Sequence, residues 1–318
     1  MTLLRFGIIG CSGIAERRFV PALRQVSNAI LFGVGSRDSD KAKQWAKQWQ
    51  APFSGSYDEI LTHPEIDCVY ISLPTALHFE WTMKALESGK HVICEKPAVM
   101  SLAEAHQALA LAHEKNLVFL ECFVPRFHRQ HQVVDDLISS GKLGEPYYFT
   151  GVYTTPMPKD GNVRFQPELG GGIFWDAMGY LVRQYLRVFK TIPKSSVIRH
   201  RNHPIYDIPQ CSTVLLEGPI GESGQLFAGY GLQYQSTYSV IGTLGSVHVQ
   251  RAYSIDDNRP SQLLVEIGRH SEMITVEPDH QFLNLIRHFI TRIHQDLVHH
   301  SDDESVMIAQ YQVMDMLI

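Results

Sequence analysis

Leu4-Arg5-Phe6-Gly7-Ile8-Ile9-Gly10-Cys11-Ser12-Gly13-Ile14-Ala15 joins an apolar run to a glycine turn, and then to a helical pattern reaching about Gln25. A short apolar run stopped by glycine reads as a buried strand, and the residues after the glycine as the first turn of a helix. Helix-start N–H groups carry partial positive charge, so a pyrophosphate sits against them wherever no side chain blocks it. Against the pattern G-x-G-x-x-G/A, Gly10 takes the turn position, Ser12 replaces the second glycine and Ala15 occupies the third. The backbone of Gly10, Cys11, Ser12, Gly13 and Ile14 is therefore a candidate phosphate cradle. The plainer reading, a glycine turn with no ligand, stays open on this stretch alone.

Beyond this turn, strand patterns at residues 30–35, 68–73, 91–95 and 117–120 alternate with helical ones. Ser56-Tyr57-Asp58-Glu59 and Ser101-Leu102-Ala103-Glu104 have the spacing of capping boxes at two of the helix starts. Such regular alternation implies a doubly wound parallel sheet, whose ligands bind beyond the carboxyl ends of the strands. The end of the second strand decides between dinucleotides. A carboxylate there binds the ribose 2′-hydroxyl of NAD and repels the 2′-phosphate of NADP. Here the tip is Ser36-Arg37, with Asp38 one step late, so NADP is expected over NAD. An exposed arginine opening a helix is the alternative.

The third strand breaks at Leu73-Pro74-Thr75, and His78 falls in the next helical turn, where it borders a cofactor or serves as a buried structural histidine. Gly89-Lys90-His91-Val92-Ile93-Cys94-Glu95-Lys96-Pro97 then delivers an acid, a base and a proline to the same crevice. Lys96 is the first candidate for chemistry there, against the ordinary reading of a surface lysine.

The texture changes near residues 121–130, which divides the chain into an expected dinucleotide-binding domain, 1–122, and a substrate-binding and oligomerisation domain, 123–318. Strand patterns at 147–153, 211–216, 225–234, 238–241, 247–251 and 263–267 fit a large, mainly antiparallel sheet. Helices are expected at 133–140, 280–298 and 304–318. His128 and His131 have ligand-like spacing but no third partner at a telling distance, so no metal is expected. Gly170-Gly171-Gly172 permits close approach of another body, and the helix beyond sets Asp176, Tyr180 and Arg183 on one face by steps of four and three. Tyr180 is placed to donate a proton to a carbonyl oxygen, with Lys96 stabilising the charge that develops. An apolar tyrosine and a satisfied aspartate remain the plainer reading.

At 318 residues, 44% hydrophobic and 19% charged, the chain is long enough for two cored domains. A net charge of -5 and a pI near 6.3 argue against a nucleic-acid partner. Five scattered cysteines among apolar neighbours read as reduced thiols, and no signal-like or membrane-spanning segment comes after Met1. A cytoplasmic location is expected.

These motifs together resemble the glucose–fructose oxidoreductase / inositol dehydrogenase (Gfo/Idh/MocA) family of NAD(P)-dependent enzymes. The resemblance rests on the Gly7-to-Ala15 turn, Leu73-Pro74 with His78, Glu95-Lys96-Pro97, and Glu121-x-Phe123-x-x-Arg126-Phe127-His128-x-Gln130. It also rests on Gly170-Gly171-Gly172-x-x-x-Asp176-x-x-x-Tyr180 and on Tyr238 to Ser246. It implies an α/β fold, a Rossmann domain followed by an α+β domain whose open sheet joins a homodimer or tetramer. It also implies Lys96 and Tyr180 as the catalytic pair, Asp176 lining their site, and Leu73, Pro74, Thr75, His78 and Glu95 near the nicotinamide. Arg126, His128, Arg164, Phe174 and Arg183 are then expected to contact substrate. Tyrosine at 180, with Arg183, Gln130-His131 and Arg164-Phe165, is most similar to ketoreductases of nucleotide-linked deoxysugars. Oxidation of a sugar or trans-dihydrodiol is the alternative, and a regulator that binds NAD(P) without turnover is the non-enzyme alternative. Two departures are Ser12 in the turn and the bulk of Phe174-Trp175, which is expected to narrow the substrate pocket.

Overall fold

The apolar runs of the first third lie side by side as parallel strands in a computed structural model of the protein, which describes residues 2–297 and 301–318. Met1 and Val298, the latter the expected end of a helix, lie outside the described residues. The strands are β1 (Leu4–Ile9), β2 (Ala29–Gly35), β3 (Phe53–Gly55), β4 (Cys68–Ile71), β5 (His91–Glu95) and β6 (Phe119–Cys122), in the order β3-β2-β1-β4-β5-β6. Every residue of β4 is buried, as expected where helices cover both faces of a parallel sheet. β3 is three residues long and gives no periodic signal in the sequence.

Local chemistry explains where the helices begin. α1 (Val20–Leu23) comes after a π-helical turn at Ala15–Phe19. α2 (Ser39–Trp49) is capped by Asp38, whose carboxylate accepts from the Asp40 and Lys41 N–H groups at 3.0 and 3.1 Å. α3 (Tyr57–Thr62) opens with the full reciprocal box between Ser56 and Glu59. α4 spans His78–Glu87 and α5 Leu102–Glu114. At α5, Ser101 accepts from Glu104 N–H at 3.2 Å, while Glu104 accepts from Met100 N–H at 2.7 Å, one residue further back than a reciprocal box requires.

The rest of the chain builds a second sheet from β7 (Pro146–Thr155), β8 (Ser195–Asn202), β9 (Pro209–Glu217), β10 (Ser223–Tyr230), β11 (Gln235–Gly242), β12 (Gly245–Val249), β13 (Ser261–Ile267) and β14 (His270–Val276). The order is β14-β13-β12-β11-β7-β10-β9-β8, antiparallel except for β7 with β10. One face packs on α7 (Gly179–Phe189) through Phe149, Leu181, Tyr185 and Leu226. α6 (Arg129–Ser139) begins four residues earlier than expected because His128 caps it, its Nδ1 accepting from Gln130 N–H at 3.2 Å.

The chain divides into two compact units, residues 1–123 with 282–308, and 124–281 with 309–318. The expected boundary near 122 omitted the return of 282–308 to the first unit. That return is made by α8 (Gln281–His294) and the start of α9 (Ser301–Asp315), whose remainder belongs to the second unit. All five cysteines are free thiols, with Cys68, Cys94 and Cys122 buried. Among the described residues, no helix is long and apolar enough to cross a membrane.

Half-buried His91 is expected to contribute to the pH dependence of the first unit's stability. Its Nδ1 accepts from Val118 N–H at 2.9 Å, which requires a neutral ring, and burial lowers its pKa to about 4. The unfolded chain, with histidine near 6.5, therefore takes up the proton first. Stability is fully present above about 6.5 and declines as pH falls toward about 4. Urea midpoints measured across that range are expected to show the decline, and His91→Gln to flatten it. An equal slope in the variant excludes His91 as the source.

Candidate active site

In the first unit, the loops at the carboxyl ends of the strands are cross-tied by polar groups. Gly10 has φ +100°, and a Cβ there would lie 3.0 Å from the Ser72 carbonyl oxygen, so the position excludes a side chain. Gly10 N–H donates to Gly35 C=O at 3.1 Å, and the Ser72 hydroxyl donates to Gly10 C=O at 2.7 Å. Ser12 does not crowd the turn, because its Oγ folds back to accept from Ala15 N–H at 3.2 Å. A Cβ on Gly13 would meet only the mobile end of Arg17. This bare, tied turn ahead of a helix start fits a dinucleotide pyrophosphate. Burial pushes the Cys11 thiol up to about 11, so Cys11 is a neutral lining group rather than a nucleophile.

At the tip of β2, Ser36 Oγ accepts from Asp38 N–H at 3.1 Å, and Arg37 lies beside Tyr57, whose phenol is pushed up by burial and pulled down by that guanidinium. With its carboxylate committed to the start of α2, Asp38 leaves the tip to a hydroxyl and a cation.

At the end of β5, Glu95 accepts from the Tyr70 hydroxyl at 2.6 Å, and Tyr70 is buried and stacked on Phe19. Lys96 is partly exposed immediately beyond, and the Lys96–Pro97 peptide is cis. Ala98 N–H donates to Glu121 at 3.0 Å. Pro74 introduces a short 3-10 turn, Thr75–Leu77. His78 is 1% exposed, with both ring nitrogens within hydrogen-bond distance of backbone carbonyls, and so is a brace rather than a surface contact.

In the second unit, Asp176 anchors a charged cluster. Its carboxylate accepts from Arg164 Nε at 2.7 Å and Nη2 at 3.3 Å, and from the Tyr230 hydroxyl at 2.9 Å. The glycine triplet approaches its own chain rather than another body. Gly171 and Gly172 N–H donate to the Gln166 and Arg164 carbonyls at 3.0 and 2.9 Å, and a Cβ on Gly171 would lie 2.7 Å from the former. These contacts fix the Arg164 loop beside Asp176.

Tyr180 is half-buried, its ring stacked on Tyr253 with centroids 5.6 Å apart and tilted against Tyr153 at 5.4 Å. Gln130 and His131 both reach the Ala252 carbonyl, at 3.2 and 3.0 Å, and so support the segment that carries Tyr253. His131 also meets the Tyr238 hydroxyl at 3.0 Å, and burial holds its pKa well below the usual histidine value.

The remaining expected contacts divide. Arg164 and Asp176 are brought together, and Arg126 is half-buried beside the Phe127 ring. His128 is instead a buried helix cap. Phe174 points into the core of the second unit, against His200 and Trp175, so it does not narrow a pocket as expected. Arg183 is only 6% exposed. Phe174–Met178 forms a π-helical turn, which breaks the regular steps by which Asp176, Tyr180 and Arg183 would share one face. Tyr230, which reaches Asp176 from a distant strand, and Tyr253, which reaches Tyr180 from a distant loop, have nothing local in the sequence to mark them.

Residues 4–123 match the family described as "Oxidoreductase family, NAD-binding Rossmann fold", and residues 131–248 match the "GFO/IDH/MocA C-terminal domain". A dTDP-3,4-didehydro-2,6-dideoxy-α-D-glucose 3-reductase of Streptomyces antibioticus is 32% identical over 94% of this chain and 92% of its own. An enzyme of the same name from Saccharopolyspora spinosa is 35% identical over 79% and 76%. The crystal structure of a 3-ketoreductase from Actinomadura kijaniata, in complex with NADP and TDP-benzene, superposes with TM-score 0.95 at 28% identity, covering 99% of this chain and 97% of that one. The same ketoreductase has been solved with a tyrosine replaced by phenylalanine and with a lysine replaced by alanine, each with both ligands.

Proposed function

The chain belongs to the Gfo/Idh/MocA oxidoreductase family, and we propose that it is an NADPH-dependent ketoreductase acting on a nucleotide-linked deoxysugar. One observation carries the reading: likeness over nearly the full length to such reductases, with Lys96 and Tyr180 separated as are the two positions replaced in the Actinomadura kijaniata enzyme.

In this proposal the Gly10–Ile14 turn holds the pyrophosphate and Ser36 and Arg37 the 2′-phosphate. Leu73, Pro74 and Glu95 border the nicotinamide. When bound, NADPH supplies the hydride that reduces a ketone carbon. Tyr180 donates its phenolic proton to the ketone oxygen, and the Lys96 ammonium stabilises the charge growing on that oxygen. Asp176, already paired with Arg164 and Tyr230, holds those two side chains in place for the sugar rather than exchanging protons itself.

The test is NADPH consumption with dTDP-3,4-didehydro-2,6-dideoxy-α-D-glucose and a panel of related keto-sugars. Steady loss at catalytic protein concentration is expected. Saturable binding with no turnover on any of them would leave a cofactor-binding regulator instead. Arg37→Ala is expected to raise KM for NADPH about tenfold and leave that for NADH nearly unchanged, as loss of one charge-assisted contact to phosphate requires. Equal effects on both cofactors would remove Arg37 from that role.

The proposal extends to assembly. Val197 and Leu215 lie opposite each other on the outer face of the second sheet, both half-exposed, and two copies are expected to pair there. Sedimentation should give a dimer that Leu215→Glu dissociates; a native monomer removes the idea.

A further inference from the structure

The loops carrying Leu73 and Lys96 leave adjacent parallel strands, β4 and β5, whose backbone pairing ends at Ile71 and Cys94. Beyond that point, the His78 ring joins them. Its Nε2 lies 2.8 Å from the Leu73 carbonyl oxygen and its Nδ1 2.7 Å from the Pro97 carbonyl oxygen. Each loop has a second tie on its far side, Ser72 to Gly10 at 2.7 Å and Ala98 to Glu121 at 3.0 Å. The ring therefore sits in the middle of a buried polar chain that runs across the ends of β1, β4, β5 and β6. A carbonyl offers only acceptor electrons, so any donor must come from the ring: the neutral imidazole that burial favours donates to one of the two oxygens and packs against the other, and only the imidazolium would donate to both. An apolar ring would fill the same space and offer neither carbonyl the ring's N–H.

We propose that His78 is a positioning residue for Lys96: by holding the Leu73 and Pro97 carbonyls against one rigid ring, it sets the direction in which Lys96 leaves the sheet. The proposal rests on the role given to Lys96 above. Lys96 directly precedes one of the tied carbonyls, so a shift of that loop moves the ammonium, and misplacement of a reacting group by about 1 Å costs about 100-fold in rate.

The experiment uses His78→Ala, assayed with NADPH and dTDP-3,4-didehydro-2,6-dideoxy-α-D-glucose, alone and with added imidazole or thiophene. The two additives have similar ring size, but only imidazole donates hydrogen bonds. The expected kcat falls about 100-fold with KM for NADPH changed less than about threefold. Imidazole restores most of kcat, whereas thiophene restores only the melting temperature. A kcat within about threefold of native, or equal rescue of kcat by both rings, overturns the proposal. His78→Ala is expected to cost nothing further in a Lys96→Ala background, and additive losses overturn the proposal as well. Full turnover by Lys96→Ala alone would instead refute the catalytic role of the lysine.

Two measurements keep the idea exposed if His78→Ala fails to fold or native turnover is absent. His78→Gln, which keeps an N–H donor but not the rigid ring, is read in the same way. The NMR resonance of 13C-dimethylated Lys96, recorded without substrate, is expected to move in that variant; an unchanged resonance overturns the proposal.

Discussion

Tyr180→Phe is expected to lower kcat by about 10²–10⁴-fold while changing NADPH affinity less than about threefold. The variant isolates one oxygen. The phenyl ring keeps the shape needed to stack on Tyr253 and Tyr153, so the surrounding aromatic packing has no reason to rearrange. What is lost is the proton donor that the proposed reduction needs when the ketone oxygen becomes anionic. An interaction made only in the transition state lowers kcat and kcat/KM together, whereas loss of a simple substrate contact raises KM with kcat intact. Steady-state kinetics in both terms, with fluorescence titration of NADPH, separates these cases. A variant with kcat near native, or one whose whole defect lies in KM, would take the acid role away from Tyr180.

The parallel sheet was legible because its signals are local: apolar runs, glycine stops and caps such as Ser56 with Glu59, each set by neighbours within four residues. Where several partners compete for one side chain, adjacency in sequence misleads. Asp38 stands one step past the strand tip, and nothing beside it in the sequence says that its carboxylate is committed to the start of α2. Gly170-Gly171-Gly172 signalled close approach, yet nothing in the triplet says that the body approached is the chain's own backbone at Arg164 and Gln166. The helical face drawn through Asp176, Tyr180 and Arg183 assumed 3.6 residues per turn. The π turn at Phe174–Met178 invalidates that assumption, and Arg183 is buried. Tyr230 reaches Asp176 from 54 positions away, a distance over which periodicity carries no information.

The least legible feature is the return of residues 282–308 to the first unit, and stability is expected to depend on it more than on any single cap. Its apolar face contributes Phe289, packed on Phe6 and His91, but its polar anchor is the pair of Arg292 and Asp303, 3.0 Å apart with side chains 1% and 5% exposed. Asp303 also meets His288 Nε2 at 2.7 Å. Asp303→Asn keeps the shape and removes the charge that the Arg292 guanidinium and the His288 ring both face, while the Leu297 carbonyl at 3.1 Å and Glu304 at 3.9 Å stay beside the guanidinium. Half-removal of a buried pair costs up to about 3–5 kcal/mol, because less of the remaining ion's desolvation is then offset. Replacing both residues, as Arg292→Met with Asp303→Leu, is expected to recover most of that loss, since the buried cation then leaves with its counter-ion. Urea unfolding followed by tryptophan fluorescence reports mainly on this unit, which holds Trp45, Trp49 and Trp81. If Asp303→Asn costs less than about 1 kcal/mol, the pair behaves as a solvated surface bridge and cannot be the anchor of this segment. If the double variant is no better than the single one, the loss comes from the packing of α8 and α9 rather than from the weakened charge pair.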